Sequence, residues 1–369
     1  MIYHGDTLSY IKESPKVLLS ILESAEQITE DSCRLLEDKE ISELYLIGLG
    51  SSYHSAKAVY VFLQDLLGIR VYPVCPLDLM RMTSLIRDGA VVLGISQQGT
   101  SMGVIATMDK MKKVGIPVIA VTGEHDTEIT RHGDSVLYIE CGYEDAGATT
   151  KGFTATMFTL MMFGIKLWEC KNNITDEQKK VYEKYLRNIF TKMANNLEKS
   201  REKCEKVADV LAKSHDLVIL SGNKWRDILP EIVLKFSETC RFPVRGFEAE
   251  EFMHGLYNAV NDDTDFMFLW DEDSEGLKKL YKYYEEEGNR IICMGRKDVY
   301  KEQKDIVPEN NNATLFNKGC FSVFEDILSL QQLFVLTSKK RGINLNIPRD
   351  PTFHKIMGSK LENENEELQ

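Results

Sequence analysis

The stretch from Val91 to Ser101 constrains the fold more than any other part of the chain. It reads Val-Val-Leu-Gly-Ile and then Ser-Gln-Gln-Gly-Thr-Ser, so an apolar run ends in a loop of hydroxyls, amides and glycine. Apolar residues with helical spacing follow, at Val104, Ile105, Met108 and Met111. Continuous apolar strands are typical of a parallel sheet that helices cover on both faces. The pattern therefore predicts a strand, a polar loop and a helix within an α/β domain.

The same loop predicts an anion site. A helix that begins directly after it leaves its first backbone N–H groups unpaired and carries a partial positive charge there. The side chains of Ser96, Gln97 and Ser101 can donate further hydrogen bonds. A phosphate monoester fits such a site without a lysine. The alternative from the pattern alone is that the hydroxyl groups only cap the helix.

Strand-like and helical segments alternate along the rest of the chain. In the first half, strands are predicted at 44–48, 70–74, 91–95 and 116–121, and in the second half at 216–221, 266–270 and 290–294. The second half repeats the order of the first. We therefore predict an α/β fold with two similar three-layer αβα units, whose mainly parallel sheets are related by internal duplication.

The segment boundaries follow from the same pattern. Residues 1–40 are predicted to be an N-terminal helical segment, with one helix over 17–28. The first α/β domain takes 41–172, a helical connector takes 173–213 and the second α/β domain takes 214–345. A C-terminal tail takes 346–369, and we expect its polar end at 362–369 to fray.

Composition excludes several classes of function. The net charge of −12 and the lack of a basic cluster argue against a nucleic-acid partner. No apolar run is long enough to span a bilayer, and residues 1–15 lack a signal-peptide core. The eight scattered cysteines predict reduced thiols and a cytoplasmic protein. Neither cysteines nor histidines have metal-ligand spacing, so we expect no metal site and no cofactor.

Two further polar turns precede predicted helices. Gly48 and Gly50 begin like a dinucleotide-binding motif, but Tyr53 stands at the third glycine, which argues against a nicotinamide cofactor. The other turn is 148–152, Ala-Thr-Thr-Lys-Gly. Ligands of open α/β sheets bind at the carboxyl ends of the strands. Three such turns favour a bound polyol phosphate over three unrelated helix caps.

The second half carries the candidate acid–base groups. Helical spacing places Glu231, Lys235 and Glu238 on one face, which by itself favours a solvated face with an ordinary Glu–Lys pair. His254 stands beside Gly255 after an acidic cluster. Histidine suits proton transfer near neutral pH, although a lone histidine is more often structural.

Three motifs together resemble the double SIS (sugar isomerase) domain family. They are Ser96-Gln97-Gln98-Gly99, Gly50-Ser51-Ser52-Tyr53 and Glu251-Phe252-Met253-His254-Gly255. The family includes the isomerase half of glucosamine-6-phosphate synthase, the fructosamine-6-phosphate deglycases and the glucosamine-6-phosphate deaminases. The resemblance covers about residues 44–349.

The resemblance implies a role for each matching residue. It implies that Glu238 moves a proton between C1 and C2 of the sugar, that Lys235 balances charge, and that His254 opens the ring. In the family this histidine acts in the partner subunit's site, so a homodimer with shared active sites is implied. Substrate and phosphate binding falls to Ser51, Ser52, Ser96, Gln97, Gln98, Ser101, Thr149 and Glu231. Gln98 replaces the usual serine, and Leu256 replaces the proline that usually follows His-Gly.

Two departures bear on which reaction the resemblance implies. The sequence shows no glutaminase domain, and no lysine stands in register with the C-terminal Schiff-base lysine of the synthase; Lys355 is nearby but out of register. This favours an amino-substituted hexose phosphate as substrate, in a reaction of the deglycase or deaminase type. A simple aldose–ketose isomerase and a non-catalytic phosphosugar sensor remain alternatives.

Overall fold

The computed structural model describes residues 2–172, 174–295 and 318–360. The chain divides into two compact units. The first combines the chain up to Thr191 with the described residues from Asn346 onward, and the second is Lys192–Leu345. The predicted frayed stretch 362–369 lies outside the described residues.

The first unit contains a five-stranded parallel sheet with the order β2-β1-β3-β4-β5. Its elements are α1 (Thr7–Glu23), α2 (Ala25–Leu36), β1 (Glu43–Ile47), α3 (Ser51–Leu67), β2 (Arg70–Val74), α4 (Pro76–Arg81), β3 (Ala90–Ile95), α5 (Met102–Lys113), β4 (Val118–Thr122), β5 (Ser135–Tyr138) and α6 (Lys151–Lys171). The long helix α7 (Asp176–Leu211) contains the boundary between the units.

Alternating side chains of the first sheet pack against helices on its two faces. Val92 and Val118 belong to the cluster that includes Val104 and Met108 of α5. Helices α2 and α3 also contact strands of the sheet, and α6, whose side chains are buried from Lys151 through Leu167, packs against α1, α2 and α3. A Cβ at Gly164 would lie 2.2 Å from Leu63 Cδ2, so glycine allows the close approach of α6 and α3.

The second unit contains a four-stranded parallel sheet with the order β7-β6-β8-β9. Its elements are β6 (Asp216–Ser221), α8 (Leu229–Cys240), β7 (Val244–Glu248), α9 (Ala249–Met253), β8 (Thr264–Leu269), α10 (Glu275–Glu286), β9 (Ile291–Met294) and α11 (Lys318–Lys340). Phe252 of α9 and Leu277 of α10 pack on one face with Phe266 and Phe268 of β8. Phe236 of α8 meets Phe334 of α11 edge to face, with ring centroids 6.0 Å apart.

The predicted α/β class and the two parallel sheets are confirmed, and four strands repeat the same order in both units. Two strands, β5 and β7, were not predicted. Both are edge strands, and most of their residues are only partly buried, so neither has a continuous apolar run. The single helix predicted over 17–28 is two helices, α1 and α2, separated at Ser24. Within the described residues, no helix is long and apolar enough to cross a membrane.

Candidate functional site

The loop after β3 folds back on itself so that two hydroxyl groups meet at the start of α5. Ser96 directly follows β3 and is buried, and Ser101 is the N-cap residue of α5. Ser96 Oγ donates to Ser101 Oγ at 3.0 Å, and the Ser101 N–H donates to Ser96 Oγ at 3.4 Å. The sequence-predicted residues Ser96 and Ser101 are therefore brought together by the structure.

Neighbouring backbone ties this loop in place. Gly99 has a φ of +68°, and a Cβ there would lie 2.0 Å from Thr127 Oγ1. Its N–H donates to the Ser96 carbonyl at 2.9 Å, and its carbonyl accepts from the Ile129 N–H at 3.1 Å. The Gly123 N–H donates to the Gln97 carbonyl at 2.9 Å. The conformation of the loop is thus fixed by the loop after β4, independently of any ligand.

The first turn of α5 is left without an internal anion. The Ser101 side chain makes no capping hydrogen bond to the helix, and the first turn contains no acidic residue. The helix dipole and the first N–H groups of α5 therefore favour an external anion at this point. This is the arrangement that a phosphate site needs.

The loop after β1 lies at the same end of the sheet, where the carboxyl ends of the parallel strands meet. This end is called the sheet edge below. Ile47 at the end of β1 pairs with Gly94 of β3, so both loops leave neighbouring strands on the same side. Ser51 and Ser52 form the first turn of α3, which has no side-chain cap and no acidic residue. Gly50, its N-cap, has a φ of +55° and open space around its Cα. The α3 terminus thus adds a second uncapped helix start, with two hydroxyl groups.

The third predicted turn is different, because an internal carboxylate already occupies it. The buried side chain of Glu144 accepts from the N–H groups of Thr150 at 2.7 Å, Lys151 at 3.1 Å and Gly152 at 2.8 Å. The Thr150 hydroxyl donates to the same carboxylate at 2.7 Å. At the start of α6 these backbone donors are therefore already bound to Glu144, and a contribution of this turn to polyol phosphate binding stays a prediction. Thr149, which is half-buried, stays a predicted sugar contact.

Gln97 connects the β3 loop to the start of α6. A Cβ at Gly152 would lie 1.8 Å from Gln97 Nε2 and 2.4 Å from its Oε1. Only glycine leaves room for the Gln97 side chain at this point. The predicted residues Gln97 and Thr149 therefore belong to neighbouring loops of one sheet edge.

Ionisable groups near these loops are paired or have a raised pKa. The buried Lys151 ammonium lies 3.0 Å from Glu13 Oε2. Burial raises the pKa of Glu124, although the charges of His125 and Lys151 oppose the shift. Burial, with a smaller contribution from Glu144, raises the pKa of the Cys141 thiol to about 12. Cys141 is therefore no nucleophile at neutral pH.

A contact that the sequence analysis missed comes from the C-terminal tail. Lys360 follows the short helix α12 (Phe353–Met357) and forms an isolated antiparallel bridge with Ser101. Its Nζ donates to Gln98 Oε1 at 3.0 Å. Lys355, the lysine considered from the sequence, lies in α12 with an exposed side chain. No local pattern signals the Lys360 contact, because the two residues are 262 positions apart.

In the second unit, α8 brings three predicted residues together. Lys235 Nζ lies 2.7 Å from Glu238 Oε1 and 3.5 Å from Glu231 Oε1. Glu231 and Lys235 are each only 4% exposed, so the solvated-face interpretation is wrong for them. The Glu238 side chain is 34% exposed. A buried ammonium thus fixes one oxygen of a carboxylate that remains accessible, which suits proton transfer.

His254 stands on another element. It is the exposed C-cap residue of α9, and Gly255 beside it has a φ of +117°. Leu256 begins a short 3₁₀ turn. The Glu248 carboxylate of the acidic cluster caps α9, accepting from the Glu250 and Glu251 N–H groups. Among the described residues no hydrogen bond joins His254 to Glu238, and its role stays a prediction.

The fold agrees with the comparisons. Residues 37–166 match the family model of the SIS domain. This match lies within the first unit. A structure from Clostridium difficile 630, described as a candidate phosphosugar isomerase, is similar to this chain with a TM-score of 0.85 and 26% identity. The match covers 97% of this chain and 100% of that chain.

Two further similar proteins are fructose-6-phosphate aminotransferases by name. The isomerizing glutamine–fructose-6-phosphate aminotransferase of Pyrobaculum aerophilum is 25% identical over 352 residues, which cover 93% of this chain. This chain spans only 56% of that relative's length. The C-terminal domain of the glucosamine-fructose-6-phosphate aminotransferase of Francisella tularensis matches with a TM-score of 0.78 and 18% identity, over 94% of this chain and 99% of that one. At that identity the match shows the fold alone.

Proposed function

We propose that this chain is an enzyme that binds an amino-substituted hexose phosphate and moves a proton between C1 and C2 through an enediol. The observation that carries the proposal is the start of α5, where Ser96 and Ser101 place their hydroxyl groups beside an uncapped helix terminus. The printed names of the Pyrobaculum and Clostridium relatives support a phosphosugar as the ligand.

In this proposal the phosphate is bound by hydrogen-bond donors. The hydroxyl groups of Ser96 and Ser101 and the amide of Gln98 donate to its oxygens, and the dipole of α5 stabilises its charge. Ser51, Ser52 and Gln97 complete the phosphate contacts, and Thr149 approaches the sugar. Binding through the phosphate orients C1 and C2, which can supply several kcal/mol of the barrier.

Glu238 is the proposed proton carrier. After His254 has assisted ring opening, Glu238 takes the C1 proton of a 1-amino-ketose and returns it at C2. The imine that results at C1 is hydrolysed to an aldose phosphate and a free amine. Lys235 holds the Glu238 carboxylate and balances its charge, as their 2.7 Å contact suggests. With a 2-amino-aldose the same transfer runs from C2 to C1, and water then hydrolyses the resulting C2 imine to a ketose phosphate and ammonia.

The proposal includes the assembly and location that the resemblance implies. His254 is exposed within its own unit, which fits a histidine that acts in the site of a second copy. We propose a homodimer with shared active sites, in the cytoplasm.

The test is the variant Glu238→Gln. It should lower turnover by about 1000-fold, since the general base is lost, and should leave the dissociation constant of fructose 6-phosphate within about threefold because Glu238 makes no phosphate contact. The matched control is Glu275→Gln, which removes an equally spaced Glu–Lys pair on the exposed start of α10. It should leave turnover unchanged.

The substrates to compare are a fructosamine 6-phosphate, glucosamine 6-phosphate and fructose 6-phosphate, with detection of amine, ammonia and sugar products. Turnover of fructose 6-phosphate alone would identify a simple isomerase. Binding without turnover of any of them would identify a sensor. Near-normal turnover by Glu238→Gln would overturn the assigned mechanism.

A further inference from the structure

Lys360 reaches the β3 loop from the far end of the chain. Its backbone bridges Ser101, the N-cap of α5, and its half-buried side chain donates from Nζ to Gln98 Oε1 at 3.0 Å. The segment before it is folded. His354 Nδ1 lies 2.8 Å from Ser359 Oγ, and the Ser359 N–H donates to the His354 carbonyl at 3.3 Å.

The hydrogen-bonding groups of Lys360 and Gln98 determine which end of the Gln98 carboxamide Lys360 binds. An ammonium group has three donors and no acceptor, so it binds only the oxygen end of a carboxamide. The Gln98 side chain makes no other hydrogen bond within the described residues. Its Nε2, with two N–H donors, is then the end that remains available at the loop. Without Lys360 the Gln98 carboxamide could rotate by about 180° and place its oxygen, which repels a phosphate, at the binding loop.

We propose that Lys360 is a positioning residue for phosphate binding, which acts by holding the Gln98 carboxamide with its Nε2 donors towards the ligand. The inference rests on the proposed function, because it assumes that the loop from Ser96 to Ser101 binds a phosphosugar. It deepens that function in one respect: the tail, and not the loop alone, determines the affinity of the site for a phosphate monoester.

The test measures the dissociation constant of fructose 6-phosphate by isothermal titration calorimetry, with the full chain. Lys360→Met should weaken binding on the order of tenfold, the size expected for a lost hydrogen bond to a charged group. Lys360→Arg, which also donates only, should bind within about threefold of the wild type. Lys113→Met is the control, because it removes an exposed lysine from the opposite end of α5 and should change nothing.

A double-mutant cycle separates positioning from other roles. In a Gln98→Ala background, Lys360→Met should weaken binding by less than about twofold, because its effect passes through Gln98. An equal loss in both backgrounds would overturn the positioning role, as would wild-type affinity in Lys360→Met. Thermal unfolding of each variant checks that the fold is retained. A wild-type protein that binds no fructose 6-phosphate would instead overturn the proposed function and the inference with it.

Discussion

The loops after β3 and after β8 occupy the same place in two sheets of the same order, yet their chemistry is opposite. After β8, the Asp271 carboxylate accepts from the N–H groups of Lys224 at 3.0 Å and Asp273 at 3.1 Å. Ser274 caps α10 through the Leu277 N–H, and the first turn of that helix contains an acidic residue. After β3 there is neither a side-chain cap nor an acidic residue at the helix start. The second loop supplies its own anion, and the first leaves its helix start available to one from outside.

The space around the second residue of α10 and of α5 shows the same contrast between the two loops. A Cβ at Gly276 of α10 would lie 2.4 Å from Glu250 Oε1, so a carboxylate already packs there. A Cβ at Gly103 of α5 would meet nothing nearer than Leu49 Cδ1, at 3.8 Å. A protein carboxylate thus fills the space beside the start of α10, and the space beside the start of α5 is open. Duplication thus produced two edges, and only the first keeps the features of an anion site.

The largest expected effect on ligand affinity comes from placing a carboxylate at the start of α5, so that the loop after β3 resembles the loop after β8. Ser101→Asp places a carboxylate at the start of α5, where it should repel a phosphate and weaken the binding of fructose 6-phosphate by at least about 100-fold. Because aspartate is a good N-cap residue, the melting temperature should not fall.

The control for that variant is Ser101→Asn, which also caps a helix but carries no charge. Its loss of affinity should be much smaller than that of Ser101→Asp. Equal affinities for Ser101→Asp and the wild type, measured by calorimetry, would contradict the contrast between the two edges.

A second variant tests the Glu144 carboxylate, which caps the start of α6 in the first unit. Glu144→Ala should destabilise the protein by about 3 kcal/mol, because buried N–H groups of Thr150, Lys151 and Gly152 lose their acceptor. The measurement is the free energy of unfolding from urea titration. Glu140→Ala, an exposed position nearby, should change it by less than about 0.5 kcal/mol. Equal stability of the two variants would show that Glu144 is not a structural cap.

The smallest effect is a pH dependence at His132, in the first unit. Partial burial lowers the pKa of His132, but hydrogen bonds to Asp109 and Glu128 outweigh burial and hold the pKa above its ordinary value. A raised folded-state pKa contributes stability that is fully present below the unfolded-state pKa and is lost as the pH rises through the folded-state pKa. The contribution should be below about 1 kcal/mol, because both carboxylates are substantially exposed.

His132→Asn measures that contribution. The difference in unfolding free energy between the wild type and this variant should be larger at about pH 5.5 than at about pH 9, on either side of the histidine titration. A difference that grows with pH would reverse the assigned sign.

The sequence predicted the strands with continuous apolar runs, such as β1, β3 and β6, because burial on both faces leaves a local signal. It also predicted the shared face of Glu231, Lys235 and Glu238, which follows from helix geometry alone. It could not predict that Glu144 fills one helix start, since the only local sign was an acidic residue six positions before Thr150. The Lys360–Gln98 contact depends on tertiary structure and has no local signal at all.

The most direct test is a crystal structure of the protein grown with saturating fructose 6-phosphate. The account predicts phosphate density at the start of α5, with oxygens in hydrogen-bond range of the hydroxyl groups of Ser96 and Ser101. It predicts none at the loop from Asp271 to Ser274. An empty first edge, or a phosphate bound at the second, would contradict it.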